Sequence, residues 1–179
     1  AKDDDLIIIS DLDEIPNPET ILKFNPQNRY AVFKQKHFYY KLNLQSEKNP
    51  HWLGSRICVK KYLNSPQWLR ELKFKKRPFW RIDKMRLNNI LEEGGWHFCN
   101  LKSPENLLYK YKNLCETNDP YHFKERIDNK YLKIEEIKKR IENNEDLIGR
   151  DDNFKKISID KSFPDFLLSN LKKYSDWII

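Results

Sequence analysis

Residues 6–16 read L-I-I-I-S-D-L-D-E-I-P, four apolar residues that run directly into a pair of carboxylates. An apolar run without polar alternation suits a strand covered on both faces, as in the interior of an α/β sheet. Side chains two positions apart on an extended chain point the same way, about 7 Å apart. Asp11 and Asp13 are therefore expected to face one hard cation or one phosphate from a single strand end. Open α/β sheets bind their ligands beyond the carboxyl ends of their strands, which is where this pair falls. The competing structural role for both residues is a turn or a cap, where Asp is common.

A chain of 179 residues is long enough to bury a real core, and a single domain over 1–179 is expected. The strand follows Ala1–Asp5 with no element before it, so the chain is expected to be the carboxyl-terminal part of a larger unit. Cys58, Cys99 and Cys115 are odd in number and lack metal-type spacing, which points to free thiols rather than a disulfide framework or a structural zinc site. With no secretory signal at the start and no apolar stretch long enough to span a bilayer, the cytoplasm is the expected location. The net charge of +7 permits a nucleic acid, an anionic surface or a phosphorylated substrate as partner. The excess is spread through lysine-rich segments, as on solvated helix faces.

Proline after Asn17 opens a short helix over 21–24. Aromatic and β-branched residues predict strands over 30–33, 37–44 and 52–60. Pro66 and Pro78 break 64–89 into loops with short elements. Gly94 and Gly95, two of only four glycines, imply an unusual backbone path or a close approach to a ligand. From about residue 103 the chain reads as helical. Ser103 and Pro104 make a helix start, and Leu107, Leu108, Tyr111, Leu114 and Cys115 repeat at helical spacing. A second stripe runs over 123–141, and a third short helix over 165–174.

Three constellations carry chemistry. The Asp11/Asp13 pair suits Mn²⁺ or Mg²⁺, which take carboxylate, phosphate and water oxygens and neutralise a departing diphosphate. His97, directly after the glycine pair, offers an imidazole to a cation held by Asp13, or is a half-buried histidine with one satisfied nitrogen. Phe38–Tyr40, Trp52, Trp68 and Trp80 offer stacking faces to sugars or bases, or pack the core.

In order along the chain stand S-D-L-D-E-I-P-N-P (10–18), F-Y-Y-K-L-N (38–43), W-L-G-S-R (52–56), G-G-W-H-F (94–98) and N-E-D-L-I-G-R (144–150). This series resembles the β-1,4-mannosyl-glycoprotein 4-β-N-acetylglucosaminyltransferase family, most closely its soluble microbial and viral members, over residues 4–150. The resemblance implies a GT-A-like, Rossmann-like mixed sheet flanked by helices, without the amino-terminal strands that hold the nucleotide. It implies a UDP-GlcNAc donor, a glycan acceptor and Mn²⁺ or Mg²⁺. Asp11 and Asp13 then match the family's D-x-D, binding metal and donor diphosphate, and His97 matches the histidine of its G-W-H block as a further metal ligand. Tyr40, Trp52 and Trp96 become candidates for the acceptor site. Inversion at the sugar requires a base for the acceptor hydroxyl, with Glu14 and Glu93 as candidates by their nearness to the motifs. The helix near 115–118 lacks the His-x-Glu associated with that place in microbial members.

Two other classes fit parts of the chain. A haloacid dehalogenase-type phosphatase also places D-x-D after an apolar strand, with the first Asp as nucleophile, but Ile15 stands where that family has Thr or Val. A basic, non-catalytic nucleic-acid-binding module would use the mixed cations and aromatics of 73–81.

Overall fold

The computed structural model describes residues 1–73, 89–113, 132–147 and 152–179. Three of its helical turns begin in the same way, with a capping side chain followed by proline. Asn17 accepts from the Glu19 amide to start α1 (Pro18–Leu22), and Asn25 accepts from Gln27 to start a 3-10 turn at Pro26–Asn28. Ser65 accepts from Trp68 to start the helix Pro66–Glu71. Each cap satisfies an amide that the first turn leaves open. In chain order the strands are β1 (Leu6–Ile9), β2 (Glu14–Pro16), β3 (Tyr30–Tyr39), β4 (Leu44–Ser46), β5 (His51–Val59), β6 (Ile90–Leu91), β7 (Gly95–Cys99) and β8 (Phe154–Lys156). After α1 the helices are α2 (Pro66–Glu71), α3 (Pro104–Asn113), α4 (Ile134–Glu142) and α5 (Asp165–Leu168). The architecture is mixed α/β, the expected class. No helix among the described residues is long and apolar enough to cross a membrane.

Contacts divide the chain into two compact units, Ala1–Lys36 with His51–His97, and His37–Pro50 with Phe98–Ile179. In the first unit β5 lies between β1 and β3, antiparallel to both, and β6 runs parallel to β3. Ile7 and Ile9 pack on a cluster of Tyr30, Val32, Cys58 and Leu69, while Ile8 packs on Phe24, Ala31, Phe33, Ile57 and Val59. The unbroken apolar run is thus explained, since both faces of β1 meet side chains. The expected interior, parallel position is not found: among the described strands β1 pairs with β5 alone, and Leu6 is exposed.

The strands expected over 30–33 and 37–44 are divided differently. One strand, β3, runs through Lys34-Gln35-Lys36, with an irregularity between Val32 and Lys34. Gln35 is fully buried there because its amide is satisfied, donating to Ser55 Oγ at 3.2 Å. Lys34 reaches Glu92 at 2.9 Å.

The second unit packs Tyr39, Tyr40, Leu44, Leu107, Tyr111, Ile137, Leu147 and Phe154 into one core. Leu107 and Tyr111 of α3 and Ile137 of α4 are the buried members of the two expected helical stripes. Leu114, Cys115 and residues 123–131 lie outside the described residues. The part from 103 onward is not wholly helical, since β8 pairs antiparallel with β4 inside it. The helix expected over 165–174 is α5 followed by a 3-10 stretch, Leu171–Trp177, with a kink at Tyr174. Cys58 and Cys99 are free thiols, and burial raises the Cys58 pKa.

Candidate functional site

The chain leaves β1 at Ser10 and turns at once. The Glu14 amide donates to Asp11 O at 3.1 Å, closing a four-residue turn with Leu12 fully exposed at its tip. The extended geometry expected to align Asp11 and Asp13 is therefore replaced by a turn, and the two carboxylates have different partners. Asp11 Oδ1 forms an ion pair with Arg70 Nη1 of α2. Asp13 Oδ2 lies 3.4 Å from His97 Nε2 of β7.

Beyond the turn, β2 pairs antiparallel with β7, setting Glu14 opposite His97, Ile15 opposite Trp96 and Pro16 opposite Gly95. The glycine pair makes this junction possible. Gly95 has φ 120°, and a Cβ there would collide with Ile15 O and come within 2.7 Å of the Asn17 amide nitrogen. The Gly94 amide donates to Lys34 O at 2.8 Å, and Gly94 O accepts from the Asn17 amide at 3.0 Å. The close approach expected of these glycines is made by the chain's own backbone.

Glu14 is the best-connected acid. Its Oε1 accepts from Trp52 Nε1 at 2.8 Å, and its Oε2 accepts from Ser55 Oγ at 3.1 Å and from the Asp11 amide at 3.3 Å. Ser10 Oγ meets Ser55 Oγ and donates to Glu14 O at 3.0 Å. Gly54 makes room for this network, because a Cβ there would strike Gln35 Oε1 and lie 2.7 Å from the Glu14 carboxyl carbon. Trp52 is 43% exposed, and its ring centroid stands 5.4 Å from that of His97. An exposed indole fixed by a buried carboxylate is a rigid stacking surface.

Ligands on one octahedral Mg²⁺-like ion, bound at about 2.1 Å, lie about 3 Å apart. The Asp13–His97 separation fits that spacing, and a carboxylate with an imidazole suits Mn²⁺. Asp11, Asp13 and His97 together do not bring their ligand atoms within 4.8 Å of one another. The structure thus joins two of the three expected ligands and ties the third to Arg70.

The remaining candidates lie elsewhere. Glu93 sits at φ 52° before β7, its carboxylate 4.0 Å from Lys23 Nζ and its carbonyl accepting from Asn17 Nδ2 and Thr20 Oγ1. It is a turn residue. Tyr40 is sealed in the core of the second unit, its hydroxyl donating to Asp146 Oδ1 at 3.3 Å, so it has no face to offer an acceptor. Trp96 is buried as well. Trp80 and most of the basic segment 73–81 lie outside the described residues.

Four residues not singled out from the sequence belong to this site: Gln35, Ser55, Arg56 and Arg70. Ser55 and Arg56 end the W-L-G-S-R block, so that place carried a signal, and Arg70 stands three residues ahead of the basic segment 73–81. Burial depresses the Arg56 pKa and Arg70 adds to the fall, whereas Glu14 and Asp11 oppose it. The four charges are neighbours. No family model, curated protein or solved structure matches the chain.

Proposed function

We propose that this chain is part of a metal-dependent, inverting glycosyltransferase that takes N-acetylglucosamine from UDP-GlcNAc to a glycan acceptor. One observation carries the reading. Two of the sequence blocks that prompted it, S-D-L-D-E and G-W-H, are distant in the chain yet fold as paired strands, with Asp13 Oδ2 3.4 Å from His97 Nε2.

Asp13 and His97 are the residues that would hold Mn²⁺ or Mg²⁺, with Asp11 joining once it leaves Arg70. The ion, when bound, neutralises charge on the departing diphosphate. Glu14, with hydrogen bonds on both oxygens, holds Trp52 and the acidic turn in place, and Trp52 presents its exposed ring to a sugar. Glu14 does not stand open as the base, whereas the Glu93 carboxylate is exposed beside Lys23, at the turn before β7. A phosphatase would use Asp11 as its nucleophile, but that reading gives the β7 strand no role.

Calorimetry of UDP with Mn²⁺ on the full-length protein tests the proposal. The wild type is expected to bind, Asp13→Ala to abolish metal-dependent binding with the fold intact, and His97→Ala to weaken it. No heat from the wild type, or unchanged binding by Asp13→Ala, overturns it. Hydrolysis of p-nitrophenyl phosphate, lost on Asp11→Asn, would instead favour the phosphatase.

A further inference from the structure

Arg56 is a half-buried cation that the protein leaves underused. A guanidinium carries five donors. Arg56 makes one hydrogen bond, from Nη1 to Gly54 O at 2.8 Å, and its buried Nε has no acceptor. Among the described residues no carboxylate forms an ion pair with it. Glu14 acts on its charge but already accepts from Trp52, Ser55 and the Asp11 amide. The strand register explains how Arg56 comes to be there. It pairs with Ile9 on one side and Val32 on the other, sharing the face on which Leu69 of α2 packs. The next residue of α2 is Arg70, a second guanidinium, which holds Asp11.

Two arginines beside one acidic turn, one short of partners and the other on an exchangeable carboxylate, make a site for a doubly charged oxyanion. The guanidinium fork matches phosphate oxygens as it does carboxylates. We propose that Arg56 and Arg70 form a receptor for a diphosphate group, with Asp11 occupying Arg70 until a phosphate oxygen replaces it. This rests on the transferase reading and deepens it, assigning the donor's diphosphate to two named side chains. The exchange frees the Asp11 carboxylate for a cation, so anion and metal binding reinforce each other.

The test is calorimetric titration of the full-length protein with inorganic pyrophosphate in EDTA at low ionic strength. The wild type binds, and Arg56→Gln and Arg70→Gln each weaken binding about tenfold or more, the scale of a lost charge-assisted hydrogen bond. Asp11→Asn tightens metal-free binding, because Arg70 loses its internal partner. Asp13→Asn removes the same charge without releasing Arg70 and tightens it less. Should Arg56→Gln fail to fold, Arg70→Gln and Asp11→Asn decide the matter, since their side chains are 43% and 48% exposed. The receptor is overturned if the wild type does not bind, if the folded arginine variants bind as it does, or if Asp11→Asn fails to exceed Asp13→Asn. Metal-free pyrophosphate binding without Mn²⁺-dependent UDP binding sinks the transferase reading and leaves the receptor standing. The reverse outcome sinks the receptor alone.

Discussion

Tyr40 and Glu14 lie in different units, and each hides a polar group from solvent, at 1% and 8% exposure. Tyr40 gives its hydroxyl to Asp146 Oδ1 and accepts from the Leu147 amide, both at 3.3 Å, while its ring meets Phe154 and Tyr39. Asp146, Leu147 and Phe154 are themselves buried, so the network closes inward. Glu14 accepts from Trp52, which is partly exposed, and from the amide of Asp11, whose turn carries exposed Leu12. This network ends at the surface. Both residues come from motifs that suggested a ligand, and where their partners lead separates a core from a site.

The comparison breaks most easily at Tyr40. Tyr40→Ala removes a sealed ring and is expected to cost about 3–5 kcal/mol in urea denaturation. Tyr40→Phe keeps the ring and leaves Asp146 and the Leu147 amide short of a partner, at about 1–3 kcal/mol. Neither change should alter UDP affinity in protein that remains folded. A Tyr40→Phe protein of wild-type stability with lost acceptor binding would put the tyrosine back among the site residues.

Gly54 tests the outward network. Gly54→Ala puts a methyl group against Gln35 Oε1 and within 2.7 Å of the Glu14 carboxyl carbon. Both are held by other bonds, so overpacking should cost about 1–3 kcal/mol. The displaced carboxylate should also change Trp52 fluorescence, a readout that simple loss of stability in the folded population would not give. Unchanged emission would mean that Glu14 does not fix the indole.

What the chain disclosed in advance follows the range of each interaction. Local signals were legible: the helix opened by the proline after Asn17, the start of α3 and the apolar stripes of α3 and α4 depend on neighbours within one turn, whereas Pro66, expected as a breaker, starts α2 behind the Ser65 cap. The class of fold followed from them. Position in the sheet did not, because the apolar run of β1 reports that both its faces are covered and says nothing about how many strands flank it. The acidic motif was found, but its geometry was misjudged. An i, i+2 rule holds for extended chain, whereas one backbone hydrogen bond, Glu14 N to Asp11 O, bends 11–14 into a turn. Arg70 escaped notice because an arginine beside a basic stretch gains meaning only when the fold brings Asp11 to it. The left-handed conformation of Tyr40, φ 62°, was likewise invisible, since no glycine or asparagine stands at that position to mark it.

The smallest effect concerns the ion pair between Asp11 and Arg70. Both side chains are nearly half exposed, and such pairs contribute about 0–1 kcal/mol to folding because water screens the attraction and ordering two side chains opposes it. A double-mutant cycle with Asp11→Ala and Arg70→Ala should return a coupling within that range, falling further as salt is added. The weakness matters for function. A pair that held the unit together would resist exchange, whereas one contributing little to folding gives up its arginine to a phosphate at small cost. A coupling well above 1 kcal/mol, or one insensitive to salt, would make the contact a structural clasp and would place the acidic turn with the inward-closing network of Tyr40.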